Sequence, residues 1–127
     1  MNENLDNIAM NYHLQNLPDM HIERICQEYE IDWLLENIAS SGQKVLELGY
    51  GDGVNFESLA RHSSLTLVEG SEELAKNARL RSAKLGLPVD VHCCLFEDFE
   101  AVGNFDVILA SHILEHVDQP VVLLTHL

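Results

Sequence analysis

Val45-Leu46-Glu47-Leu48-Gly49-Tyr50-Gly51-Asp52-Gly53 is the stretch whose reading decides the fold. It opens as a short apolar run that closes on glycines, which suits a buried parallel strand. Glycines at every second position, Gly49, Gly51 and Gly53, let the backbone turn sharply and approach a ligand with no Cβ in the way. Val54 to His62 then reads as a helix, whose free N–H groups point at the same space. Taken alone, this turn marks any nucleotide-binding α/β protein.

The pattern continues on both sides. Leu65-Thr66-Leu67-Val68 is a second apolar run ending at Glu69. Ser71 is placed to cap the next helix, and Glu72 and Glu73 suit its dipole. That helix runs to about Leu85, where Gly86 supplies a left-handed end and Pro88 prevents continuation. Val89 to Cys94 and Phe105 to Ala110 read as third and fourth strands. Ser111 to Val117 is a loop or short helix, and Asp118-Gln119-Pro120 opens a last helix. Upstream, Pro18-Asp19 starts a helix with Asp19 as N-cap, carried to about Ile38 by Ile22, Ile25, Cys26, Tyr29, Trp33 and Leu34. Residues 1–17 read as an arm or lid. Strands alternating with helices predict an α/β, doubly wound, mainly parallel sheet with helices on both faces. About four strands are expected, in a domain over 18–127. The apolar helical pattern still open at Leu127 is read as a truncated form or one that completes its sheet with a partner, and its open edge as a surface for a homo-oligomer.

The acids refine the ligand. The dinucleotide fingerprint G-x-G-x-x-G seats a pyrophosphate. Here the spacing is G-x-G-x-G, and Glu47 just before it would repel a pyrophosphate and attract a cation. Glu69 stands 22 residues after Glu47, and in doubly wound sheets an acid about 20 residues on accepts hydrogen bonds from ribose hydroxyls. The plain alternative for Glu69 is a solvated acid at a strand end.

As a set, Val45 to Gly53, Leu67-Val68-Glu69-Gly70-Ser71, Leu95-Phe96-Glu97-Asp98-Phe99 and Phe105 to Val117 resemble the motifs of class I, Rossmann-like S-adenosylmethionine-dependent methyltransferases, over about residues 44 to 124. The resemblance implies S-adenosylmethionine as cofactor and S-adenosylhomocysteine as product, and a family sheet of seven strands. Glu47 and the backbone of Gly49 to Gly51 would hold the methionine end, with Tyr50 and Gly53 in the same turn. Glu69, with Gly70 and Ser71 beside it, would bind the ribose. Phe96 and Glu97, with Leu95, would flank the adenine, although the family often has Asp where Leu95 stands. Ser111 and His112 would line the ligand. Many relatives have a small residue or Cys where this chain has Tyr50, so the phenol either covers the ligand or points outward. Tyr12 and His13 would cap the site by analogy with relatives that have a lid. Because displacement at a sulfonium needs chiefly alignment and desolvation, a general base is required only for an acceptor that loses a proton, and His112 is the candidate. The acceptor is expected to be a small molecule. The competing readings are a cofactor-binding or interaction module without catalysis, and a nicotinamide-dependent oxidoreductase.

Composition narrows the partners. Formal net charge is −14, from 21 acids and 7 bases, which disfavours nucleic acid and anionic lipid. The basic cluster Lys76, Arg79, Arg81 and Lys84 reads as a solvated helix face. No apolar run approaches a membrane span and no signal-peptide pattern opens the chain, so a cytoplasmic protein is expected. Cys26, Cys93 and Cys94 read as reduced thiols, the adjacent pair facing opposite sides of a strand. His112, Glu115 and His116 spell the zinc pattern H-x-x-E-H, but the further ligand it needs is lacking downstream apart from His126, so no metal is expected.

Overall fold

The computed structural model describes residues 6–7, 20–37 and 42–127. Asp19, Tyr12, His13 and nearly all of the 1–17 arm lie outside the described residues. Four strands, β1 (Gln43–Leu48), β2 (Ser63–Val68), β3 (Asp90–His92) and β4 (Val107–Leu109), form one parallel sheet in the order β3-β2-β1-β4. Helix α1 (Met20–Asn37) precedes it, α2 (Phe56–His62) joins β1 to β2, α3 (Glu72–Leu85) joins β2 to β3, and α4 (Pro120–His126) follows β4.

Alternation along the strands builds two cores. Val45, Leu65 and Leu67 face α1 to α3 and pack with Ile31, Phe56, Leu59, Ala60 and Ala78. Leu46, Leu48 and Val68 face the other way and pack with Phe99, Val117 and Leu123 of α4. Helices thus cover both faces, as expected for a doubly wound sheet.

The helix ends follow local chemistry. The Ser71 hydroxyl accepts the N–H of Leu74 at the start of α3, and Gly86 ends that helix in a left-handed conformation at φ 64°. At the other sheet edge Asp106 splices β4 onto β1. Its N–H donates to the Lys44 carbonyl, and its Oδ2 accepts the Lys44 N–H, each at 2.8 Å.

Three expectations need correction. The helix over Pro18 to Ile38 was expected to bury Ile25, Tyr29 and Trp33. Instead Ile31 is the buried one among its described side chains, with Leu34 and Leu35 packed on the same cluster, while Ile25, Tyr29 and Trp33 are 64%, 73% and 58% exposed. The 31/34/35 stripe satisfies helical spacing equally well, and it is the one that meets the sheet. Second, β3 and β4 are shorter than their apolar runs. Each is an edge strand: β3 ends at His92 opposite Val68, the last residue of β2, and β4 ends at Leu109 opposite Glu47, one residue before β1 does. Third, Cys93 and Cys94 lie past β3 in a bend, not on opposite faces of a strand. Both are half-buried free thiols, and burial raises their pKa values.

Leu46 is fully buried on an inner strand, whereas Val102 is 94% exposed. Leu46→Ala should cost about 2–5 kcal/mol in urea denaturation. Val102→Ala should stay within about 0.5 kcal/mol of the native chain. A similar loss for both would show that the sheet interior is not the cooperative core.

Candidate functional site

In open parallel sheets ligands sit beyond the carboxyl ends of the strands, where the strand order reverses. Here that point lies between β1 and β4, and most of the residues singled out by sequence converge around it. Glu47 is the penultimate residue of β1 and is paired in register with Leu109 of β4. Gly49 leaves the strand at φ 85° and donates its N–H to the Val68 carbonyl at 2.8 Å. Gly51 and Gly53 also adopt positive φ, 56° and 72°. The turn therefore needs glycine for its dihedrals as well as for close approach.

Two carboxylates end β1 and β2, and their surroundings differ. Glu69, 7% exposed, is fully engaged. Its Oε2 accepts the Tyr50 N–H at 2.7 Å and its Oε1 accepts the Ser71 N–H at 2.8 Å. Glu47 is 6% exposed, and its Oε2 has no hydrogen-bond partner among the described residues. Loss of hydration, and secondarily the nearby charge of Glu69, push the Glu47 carboxyl up to about 8. An unpaired buried acceptor of this kind suits a cationic ligand group.

The remaining predicted residues take distinct places. Gly70 and Ser71 are buried beside Glu69, and the Ser71 hydroxyl donates to Asp6 at 2.5 Å. Phe96 is half-buried in the 3₁₀ turn Phe96–Asp98, with Glu97 exposed beside it. Ser111 and His112 are exposed past β4, and His112 has a left-handed backbone at φ 56°. Its Nδ1 lies 4.0 Å from Glu115 Oε1. Because His112 precedes the short 3₁₀ turn Leu114–His116, it shares no helix face with His116.

Tyr50 answers one open question. Its ring stacks edge-on against Phe56, centroids 5.4 Å apart, and folds back over Gly53. A Cβ on Gly53 would lie 2.6 Å from that ring. The phenol packs the turn from behind, while the Tyr50 N–H binds Glu69.

Some contributors were missed in the sequence. A Cβ on Gly49 would meet Ile113 Cδ1 at 2.7 Å and Phe96 Cζ at 3.9 Å, so the loop after β4 and the turn after β3 close upon the glycine turn. Asp52 Oδ1 accepts the Val54 N–H at 3.1 Å, a local turn bond. The basic cluster is not uniformly solvated: Arg79 donates to the Val91 carbonyl at 3.0 Å and half-buried Arg81 to the Gly53 carbonyl at 2.6 Å. Apart from the Asp52 bond, these contacts join residues distant in sequence, and no local spacing announces them.

Beside the turn lies a groove of about 610 Å³. One wall is α1, with Tyr29, Ile31, Trp33 and Leu34; the other holds Asn55, Leu109, Ser111 and His112. Asn55 Oδ1 is buried and lacks a partner among the described residues. The aromatic residues that the core does not take are thus turned to a cavity that ends at His112.

Residues 45–126 match the family profile of a methyltransferase domain. The chain is 34% identical over 93 residues to the ubiquinone biosynthesis O-methyltransferase of Chromobacterium violaceum, covering 71% of this chain and 40% of that protein. It is 36% identical over 93 residues to the enzyme of the same name from Aromatoleum aromaticum, with the same coverage. The chain therefore spans about two fifths of the length of these curated relatives. Among solved structures, the N-terminal domain of EvdMO1 with SAH bound superposes with a TM-score of 0.66 at 27% identity, covering 76% of this chain and 42% of that one. A SAM-dependent methyltransferase from Aquifex aeolicus shares the fold, with a TM-score of 0.64 at 21% identity and coverage of 76% and 55%.

The state of Glu47 is directly measurable. Below pH 4.5 its carboxyl is largely protonated in folded and unfolded chains alike. Between 4.5 and about 8 the unfolded chain gives up that proton and the folded chain keeps it, so stability falls across this interval and levels off above it. Glu47→Gln should remove that part of the slope, leaving the variant more stable near pH 8 by on the order of a few kcal/mol. Denaturant unfolding of both chains across the interval tests this. An identical slope in the variant would mean that another group titrates.

Proposed function

This chain belongs to the methyltransferase-domain family, and from that premise we propose that it is the cofactor-binding part of an S-adenosylmethionine-dependent O-methyltransferase acting on a hydroxylated aromatic small molecule. The observation that carries the reading is the buried, unpartnered oxygen of Glu47 at the switch point of the sheet. An ammonium group supplies the missing hydrogen bond and draws off the Glu47 proton, gaining a counter-charge, whereas the ionised carboxylate would repel a pyrophosphate. The SAH-bound EvdMO1 domain supports the same ligand class.

Bound S-adenosylmethionine supplies an electrophilic methyl group on a positively charged sulfur. The chain's residues then have separate tasks. Glu47 accepts the ammonium of the methionine end, and the N–H of Gly51 faces its carboxylate, those of Gly49 and Tyr50 being taken by Val68 and Glu69. Glu69 keeps its two backbone donors and offers remaining lone pairs to ribose hydroxyls. Phe96 gives the adenine an apolar face, with Glu97 at its rim. Ser111 and His112 sit where the groove meets the cofactor turn. Tyr29 and Trp33 give the groove aromatic surface for a planar acceptor. His112 takes the proton of the acceptor hydroxyl, because an oxygen attacks well only as that proton leaves. The names of the relatives support an oxygen acceptor in an aromatic, quinone-type precursor.

Titration calorimetry with S-adenosylhomocysteine and with NAD tests the cofactor class. S-adenosylhomocysteine should bind, releasing a proton from Glu47 below about pH 8 and binding more tightly as pH rises toward that value. Binding of NAD in its place would overturn the reading. With a catechol-type acceptor, His112→Ala should lower kcat about 10²-fold, a far larger effect than on S-adenosylhomocysteine affinity. An unchanged kcat would remove His112 from the reaction.

A further inference from the structure

We propose that Arg81 is a positioning residue that presets the glycine turn for the cofactor, acting through the Gly53 carbonyl without touching the ligand. The inference rests on the cofactor reading above, and goes beyond it to a side chain on the far helix α3.

Arg81 lies in the later half of α3, a face expected to be solvated. Its guanidinium is instead drawn into the back of the turn. Nη1 donates to the carbonyl of buried Gly53 at 2.6 Å. Nη2 lies 3.7 Å from Glu57 Oε2, and Cζ stands 5.7 Å from the centre of the Phe56 ring. A Cβ on Gly53 would fall 2.8 Å from Nη1 and 2.6 Å from the Tyr50 ring. Gly53 is therefore pinched between a guanidinium and a phenol.

The same turn is held at its other end by Glu69, which accepts the Tyr50 N–H. Between those points Gly53 donates its own N–H to the Tyr50 carbonyl at 2.9 Å. One strand-to-helix unit, β2 with α3, thus grips both ends of the segment that carries the Gly51 amide toward the ligand. Glu69 fixes where the segment begins and Arg81 where it ends. Amides held in place beforehand need no ordering when a ligand arrives, so the grip acts on affinity. Arginine suits the task because its planar fork spans the carbonyl and Glu57 while its face covers Phe56, which a lysine ammonium cannot do together.

Arg81→Met and Arg81→Lys, compared with the native chain, test the proposal. Measurements are S-adenosylhomocysteine affinity by calorimetry, the thermal midpoint, and the ligand-free amide resonances of Gly49, Tyr50 and Gly51. Both variants should bind about tenfold more weakly, since small displacements of positioning groups cost up to about 10²-fold. Their thermal midpoints should drop by only a few degrees, and the three amide resonances should shift before any ligand is added. In turnover the loss should fall on the cofactor KM rather than on kcat. Native affinity in both variants would overturn the proposal, as would unshifted amides. If Arg81→Met does not fold, Arg81→Lys, which keeps the charge, decides by the same criteria. Should the native chain itself fail to bind S-adenosylhomocysteine, the cofactor reading fails, while the amide shifts still decide whether Arg81 sets the turn.

Discussion

The buried carboxylate of Glu69 is the constraint on which the site depends. It accepts two backbone N–H groups from two successive strand-to-helix turns, at Tyr50 and at Ser71. A buried charge is costly unless it is hydrogen-bonded, and short charge-assisted bonds offset that cost. The start of α3 adds a favourable dipole for the anion. Glu69 therefore lashes the turn after β1 to the turn after β2 with no counter-ion. The glycine dihedrals, the reach of Ile113 and the clasp of Arg81 are all defined relative to that lashing.

Glu47 shows what happens without such donors. It is as buried as Glu69 and lies near the end of the neighbouring strand, yet one oxygen lacks a partner among the described residues, and its proton is held to about pH 8. Two neighbouring carboxyl groups with such different hydrogen bonding mark a division of labour. Glu69 spends one lone pair of each oxygen on architecture. Glu47 carries an unmet bonding capacity that a structure selected for stability alone would remove, for instance by glutamine. Such local inconsistency belongs to a binding site.

Features with a local physical cause were legible in the sequence. The apolar runs of β1 and β2, the Ser71 cap, the Gly86 stop and the glycine turn each depend on residues within a few positions, and each was found. The family and the parallel sheet followed from their order. What was not legible depends on partners distant in the chain. Two apolar stripes of α1 fit helical spacing equally, and only the sheet selects Ile31 over Tyr29 and Trp33. The turn was recognisable but not the fate of the Tyr50 ring, because Phe56 and Gly53 hold it. A basic face reads as solvated unless the carbonyl opposite Arg81 is known. The third and fourth strands were expected to run on to Cys94 and Ala110, because the apolar runs continue past His92 and Leu109, where the ladders end.

Topology explains why these residues meet. From β1 through β2 to β3 the chain advances in one direction across the sheet, so α2 and α3 lie on one face. Placing β4 on the other side of β1 reverses that direction, and α4 packs on the opposite face. The connections after β1 and after β4 therefore part to opposite sides and leave a crevice between them. One residue at its lip has a backbone unusual for its type. His112 takes a left-handed conformation, which a non-glycine residue adopts at a steric cost. That turn lets the next residue, Ile113, double back onto Gly49 while the imidazole stays exposed along the groove. The apolar cover of the glycine turn and the polar end of the groove are thus set by the same pair of dihedrals.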